Sequence, residues 1–172
     1  MSPESPITVG IISEEEFKAG FHPRDYQVMA GLISRKPYSQ IIKEMGIKLD
    51  TFKGYMKRIR DRMDPLHERT RRENICRAIV VSVWQGYSGG QELESTLRLT
   101  IKGSSGSFGD EESKILELIG VGLVGAELGD SLGNNSHELQ GTVDRLALNL
   151  GLNIYGVYAF AAIRAKKQGN RI

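Results

Sequence analysis

The chain has 172 residues, 40% of them apolar, and a formal net charge of +2, which is enough apolar material for one ordinary domain or two small ones. No apolar run approaches the roughly 18 residues of a bilayer-spanning helix, and the leader, with Glu4 and Glu14 to Glu16, lacks the basic and apolar layout of a signal peptide, so a cytoplasmic protein without membrane contact is expected. Cys76 is the only cysteine and lies in an apolar run, which excludes an internal disulfide and makes it a small buried hydrophobe.

The small net charge hides an asymmetry. Residues 21–82 hold 14 Lys or Arg against 7 Asp or Glu, a local net charge of +7, whereas residues 103–172 hold 6 against 8, giving −2. A polyanion would bind the first half.

In chain order, residues 1–20 form an N-terminal arm in which Ile7 to Ile12 suggest a short strand and Ser13 to Glu16 a capping box opening a helical turn. A first helix is expected over residues 23–34, with Pro23 in its first turn and Val28, Met29, Leu32 and Ile33 at helical spacing. Pro37 and Tyr38 break it. Ser39 is placed as the cap of a short second helix carrying Ile41, Ile42 and Met45, ended by Gly46. After the turn Gly46-Ile47-Lys48 comes a third helix over residues 48–63. Phe52, Met56, Ile59 and Met63 recur at steps of four, three and four and mark its buried side. Asp50, Lys53, Gly54, Lys57, Arg58 and Asp61 lie opposite, flanked by Thr51, Tyr55, Arg60 and Arg62. Asp64-Pro65 stops this helix, and a fourth follows over residues 70–84, ended by Gly86.

Two short helices joined by a turn, the second basic on its exposed face, make a helix-turn-helix. A solvated basic face is the plainer reading of such charge. Its place on the second helix of the motif favours DNA, because the major groove admits one helix whose long cationic side chains reach guanine edges while its flanks hold phosphates. Lys53, Gly54, Lys57 and Arg58 are the expected groove residues, and Lys48, Thr51, Tyr55 and Arg62 the phosphate contacts. Arg69, Arg71 and Arg72 stand equally well as backbone contacts or as a solvated helix start. His22, His67 and His137 are far apart and lack companions at ligand spacing, so no metal site is expected. The glycines match neither a phosphate loop nor a dinucleotide fingerprint, and no nucleophile elbow is present, so no enzyme and no cofactor are expected.

The run from Phe21 to Leu66 resembles the LuxR/GerE-type DNA-binding domain without a gap. The family's L-T-P-R-E-x-E-V-L is met by Phe21-His22-Pro23-Arg24-Asp25-Tyr26-Gln27-Val28-Met29, and its E-I-A-x-x-L-G-I-S by Gln40-Ile41-Ile42-Lys43-Glu44-Met45-Gly46-Ile47-Lys48. Its recognition helix, T-V-K-x-H-x-x-N-I-x-x-K-L, is met from Thr51 to Met63. Tyr55 stands where the family has His, Arg58 where it has Asn, and Asp64-Pro65 where it has Gly-Val. These departures weaken any transfer of base preference rather than of fold.

Beyond Ser88-Gly89-Gly90, a short strand over residues 97–101 and a flexible Gly/Ser stretch over 103–107 read as a linker. An internal repeat follows, displaced by 87 positions, Phe108 against Phe21. Val28-Met29 meets Ile115-Leu116, Met45-Gly46 meets Leu132-Gly133, Gly54 meets Gly141 and Ile59 meets Leu146. Contact positions change instead: Lys48 becomes Asn135, Lys53 Gln140, Lys57 Asp144, Arg60 Ala147, Asp61 Leu148 and Arg62 Asn149. Each lost phosphate contact lowers the counterion release that drives duplex binding, so the second copy should bind weakly or not at all.

The expected architecture is therefore all-α: an arm (residues 1–20), a LuxR/GerE-like domain (21–86), a linker (87–107), a degenerate second copy for protein contact (108–167), for which a stabilising lid on the first domain is an equally good reading, and a tail (168–172). Both fourth helices are apolar nearly all round, hence buried on more than one side. In the resembled family that helix mediates dimerisation, which implies either an internal pseudo-dimer or a pairing of two chains. Ile79, Val83, Tyr155, Tyr158 and Leu148 are the expected interface residues. The resemblance implies a bacterial transcription regulator acting on double-stranded DNA, an activator rather than a repressor, with RNA polymerase or an antiactivator as partner. Two alternatives remain: a protein-interaction module with incidental DNA contact, and an architectural or recombination-directing DNA binder.

Overall fold

Pro23 opens the first helix at no cost in hydrogen bonding, because the N–H it lacks would have had no partner in the first turn. In the computed structural model, which describes residues 21–64, 69–85, 108–133 and 136–167, α1 runs Pro23–Ile33. The Asp25 carboxylate accepts from the His22 N–H at 3.0 Å, and His22 Nδ1 accepts from the Arg24 N–H at 3.2 Å. Next come α2, Tyr38–Met45, α3, Leu49–Met63, and α4, Arg71–Trp84. The second copy supplies α5, Asp110–Gly120, α6, Gly125–Leu132, α7, Ser136–Leu150, and α8, Ile154–Lys167. Among the described residues every regular element is helical, an all-α arrangement. The strands expected over residues 7–12 and 97–101, the capping box at 13–16 and the Gly/Ser stretch at 103–107 lie outside the described residues.

One expected cap is corrected. The second helix begins at Tyr38 after Pro37 in extended conformation and has no side-chain cap, so Ser39 sits inside its first turn. Pro37 suits that place because its ring holds an extended entry and the helix needs no N–H from it.

The displacement of 87 reappears in the element bounds. Pro23–Ile33 maps onto Asp110–Gly120, Tyr38–Met45 onto Gly125–Leu132, and Leu49–Met63 onto Ser136–Leu150. Gly46 at φ 65° and Gly133 at φ 69° end the two short helices in the left-handed region, which glycine enters without a Cβ penalty. The turn after the first helix of each copy uses the same backbone: Arg35 has φ 63° and its counterpart Gly122 φ 101°. Only the fourth helix breaks register, since α8 begins at Ile154, 83 positions after Arg71. The first copy takes the longer path from its third helix to its fourth, and Asp64 ties that path down. Its buried carboxylate accepts from the Arg69 N–H at 2.7 Å and from Asn74 Nδ2 at 3.1 Å.

The two copies are fused through their fourth helices. Helix α8 packs on α4, on α5 and α7 of its own copy, and on α1, while α4 also packs on α3. One contiguous core contains Val28, Phe52 and Ile79 from the first copy and Ile115, Leu146 and Val157 from the second. Polar ties cross the same seam. Trp84 Nε1 donates to the Gly120 carbonyl at 2.8 Å, Arg77 Nη1 to the Gly122 carbonyl at 2.6 Å, and Asn153 Nδ2 to the Leu32 carbonyl at 2.7 Å. Arg69 pairs with Glu127 at 2.9 Å. Cys76 is buried in this core, and burial pushes its thiol far above the ordinary range, as fits an inert packing residue.

Gly120 lets α5 approach α8 closely. A Cβ there would lie 2.5 Å from the Ala161 carbonyl oxygen and 2.9 Å from Ala165 Cβ. The carbonyl belongs to helix backbone and cannot step aside, so Gly120→Ala should destabilise the fold by about 1–3 kcal/mol. A thermal melt compared with Gly141→Ala, where the added methyl meets open space, checks this. No single helix among the described residues is long and apolar enough to cross a membrane.

Candidate nucleic-acid interface

Helix α3 buries Phe52, Met56, Ile59 and Met63, the four positions whose spacing predicts its inner face. That burial fixes the rotation of the helix and turns Lys53, Gly54 and Lys57 outward, all exposed. Lys48, the N-cap residue, Thr51 and Arg62 are exposed as well, and Tyr55 is half-buried. A Cβ on Gly54 would meet nothing within 4 Å. This glycine is therefore not required by packing or by backbone angle, and it leaves a flat spot between Lys53 and Lys57.

Arg58 has a different placement from the one expected of a groove-reading residue. Its Nη2 pairs with Asp25 Oδ1 at 2.5 Å, and its Nε lies 3.2 Å from both carboxylate oxygens. Asp25 is fully buried, whereas the Arg58 side chain keeps 37% of its exposure. The hydrogen bond that it donates to Asp25 is the main reason the guanidinium is held even further above its ordinary value. The same guanidinium lies over the Tyr55 ring, 4.8 Å from its centroid. Arg58 thus locks α3 to the start of α1 and carries Tyr55 with it, so both act first as parts of the scaffold under the basic face. Nothing in the sequence spacing joins Asp25 to Arg58, 33 residues apart, and the burial of Asp25 that makes the pair necessary is set by the tertiary fold.

Lys57 forms an exposed pair with Asp61 at 2.9 Å, one turn on. Such pairs are worth about 0.3–0.5 kcal/mol, so the ammonium leaves this partner at little cost.

The third helix of the second copy carries another chemistry on the same scaffold. Leu139, Val143, Leu146 and Leu150 are buried, matching the inner face of α3 position for position. Gln140 and Asp144 are exposed and bond to each other at 2.9 Å. Arg145, the counterpart of Arg58, is exposed and donates to Thr142 Oγ1 at 3.1 Å. Leu148 is 80% exposed.

The other expected interface residues lie elsewhere. Ile79, Val83 and Tyr158 are buried in the core that α4 and α8 share, so the contact expected of them is made inside the chain and is closed to an outside partner. Tyr155 is half-buried, its hydroxyl pushed up to about 12 first by burial and then by Tyr38 beside it. No cluster of His, Cys, Asp and Glu fit to hold a metal occurs among the described residues.

Comparison of the chain with protein-family models, with curated proteins and with solved structures returned no match.

Proposed function

We propose that the chain is a sequence-specific, duplex-DNA-binding transcription regulator, built from two tandem LuxR/GerE-like helix-turn-helix units of which the first binds DNA. The observation that carries this reading is the contrast between two copies of one scaffold. Both third helices bury the same four positions, yet α3 presents Lys53, Gly54 and Lys57 where α7 presents Gln140, Gly141 and Asp144. A fold that needed only a solvated face has no reason to keep one copy cationic and make the other neutral to acidic. The basic face of α3 is then the part that enters the major groove, with Lys48, Thr51 and Arg62 on phosphates.

The pairing of α4 with α8 bears on stoichiometry. The fourth helix, the family's usual dimerisation element, is covered within the chain, so one chain presents one cationic recognition helix and recognises a half-site. Exposed Leu148 favours giving the second copy to protein contact, with RNA polymerase as the partner for an activator.

The test is a duplex titration over a range of salt, comparing the native protein with two glycine variants. Gly54→Ala and Gly141→Ala each add a methyl to open space on an exposed helix, and each should stabilise the fold by about 0.5–1 kcal/mol. Only Gly54→Ala should weaken duplex binding, because only there does the methyl stand between backbone and DNA. Equal duplex affinity for both variants, or native binding that ignores salt, would sink the reading. Footprinting then reports site symmetry, and a single half-site is the expected result.

A further inference from the structure

Beside the DNA-facing sector, α3 and the start of α4 enclose a groove of about 540 Å³. Its floor is apolar: Phe52, Met56 and Ile75, each at most 8% exposed. Tyr38 from α2 and Leu49 from α3 form its lip, about half exposed. Tyr155 closes it from α8, so the groove is complete only where the second copy docks on the first. The rim is cationic, with Lys53, Lys57 and Arg60 on one side and Arg71 and Arg72 on the other, and none of the lining residues is acidic. The volume falls inside the range of about 300–1,000 Å³ typical of small-molecule sites.

An apolar floor attracts hydrocarbon or aromatic surface and gives no reason for the charge around it. Lys57 is paired with Asp61 at 2.9 Å, but no acidic side chain stands among the lining residues beside Lys53, Arg60, Arg71 and Arg72, so a carboxylate or phosphate placed there gains charge-assisted hydrogen bonds from them. We propose that this groove is the binding site for a small amphipathic organic anion, whose apolar body lies on Phe52, Met56 and Ile75 and whose charged head is held by Arg71 and Arg72.

Two rim residues, Lys53 and Lys57, also belong to the face assigned to DNA. A bound anion neutralises part of that face and sets its head where a phosphate would lie, so anion and duplex exclude each other. This regulatory consequence rests on the DNA reading, whereas the binding site itself does not.

The experiment uses the full chain with decanoate as the probe, below its micellar range, and 1-decanol as the uncharged comparison, followed by calorimetry and by shifts of the groove amides in NMR. Decanoate should bind and decanol should not. Arg71→Ala with Arg72→Ala should weaken decanoate at least about tenfold, and Arg71→Lys with Arg72→Lys should recover most of the affinity. Both arginines are exposed and the Thr70 cap of α4 stays in place, so the fold should survive, which an unchanged melting temperature verifies. Equal binding of decanoate and decanol, absence of decanoate binding, or indifference to the arginine variants would overturn the site. Where duplex binding is present, decanoate should lower it in the native protein; undiminished binding would overturn the exclusion. Decanoate binding in a protein that never binds duplex would support the site and count against the DNA reading alone.

Discussion

Alanine at both Lys53 and Lys57 should weaken duplex binding about 100-fold and flatten its salt dependence by roughly two units of log–log slope. The slope follows from counterion release, about 0.9 per phosphate neutralised on B-form DNA, so two lost ammonium contacts remove nearly two. The affinity loss follows from about 1.4 kcal/mol per contact, a factor of ten each. Losing Lys57 also removes the ammonium that pairs with Asp61 at 2.9 Å, which leaves the face less cationic by one further charge–charge contact. Gln140→Ala with Asp144→Ala, the same two positions in the second copy, should leave binding unchanged. An electrophoretic shift series at several salt concentrations measures all of this. The DNA reading fails if the lysine pair and the control pair behave alike.

The second large effect concerns stability. Arg58→Met should cost the fold about 2 kcal/mol and lower the melting temperature by roughly 4–8 °C. Breaking a fully buried ion pair costs about 3–5 kcal/mol. The smaller figure applies because the Arg58 side chain keeps 37% of its exposure while Asp25 keeps none, so water reaches one partner and screens the pair. Asp25→Asn combined with Arg58→Met should lose less than the two single changes summed, since the double variant leaves no buried charge uncompensated. Arg145→Met, at the exposed counterpart in the second copy, should be nearly neutral. Thermal melts of the four variants decide the matter, and an Arg58→Met protein as stable as the native one would show that Asp25 is satisfied without it. Any loss of duplex binding in Arg58→Met is then attributed to a tilted α3 rather than to a lost base contact.

Much of the fold is legible in the order of residues because helices are local. Steps of three and four between Phe52, Met56, Ile59 and Met63 place one face inward, and the same arithmetic applied 87 positions later gives Leu139, Val143, Leu146 and Leu150, all buried. Helix ends are local too. Gly46 and Gly133 stop their helices because each enters the left-handed region, a preference written in the residue type. The exposure of Lys53, Gly54 and Lys57 follows directly, since burying one sector of a helix leaves the opposite sector in water.

Tertiary structure alone decided the rest, for reasons of distance along the chain. Apolarity all round α4 and α8 says that each must be covered on several sides, but a hydrophobic surface carries no address, and pairing within one chain or between two buries equivalent area. Only the packing of α8 on α4 and α1 makes the seam internal. Arg58 is cationic by sequence whatever it does; that it is held by Asp25 rather than open to a base depends on how α3 crosses α1. The groove lined by Arg71, Arg72 and Tyr155 draws on helices far apart in sequence and exists only once the second copy has docked. Sequence by itself determined which residues form helices and which faces are apolar or charged, because those follow from periodicity over a few residues. Packing determined which charges remain free to meet a ligand, because that depends on contacts between residues the chain brings together only on folding.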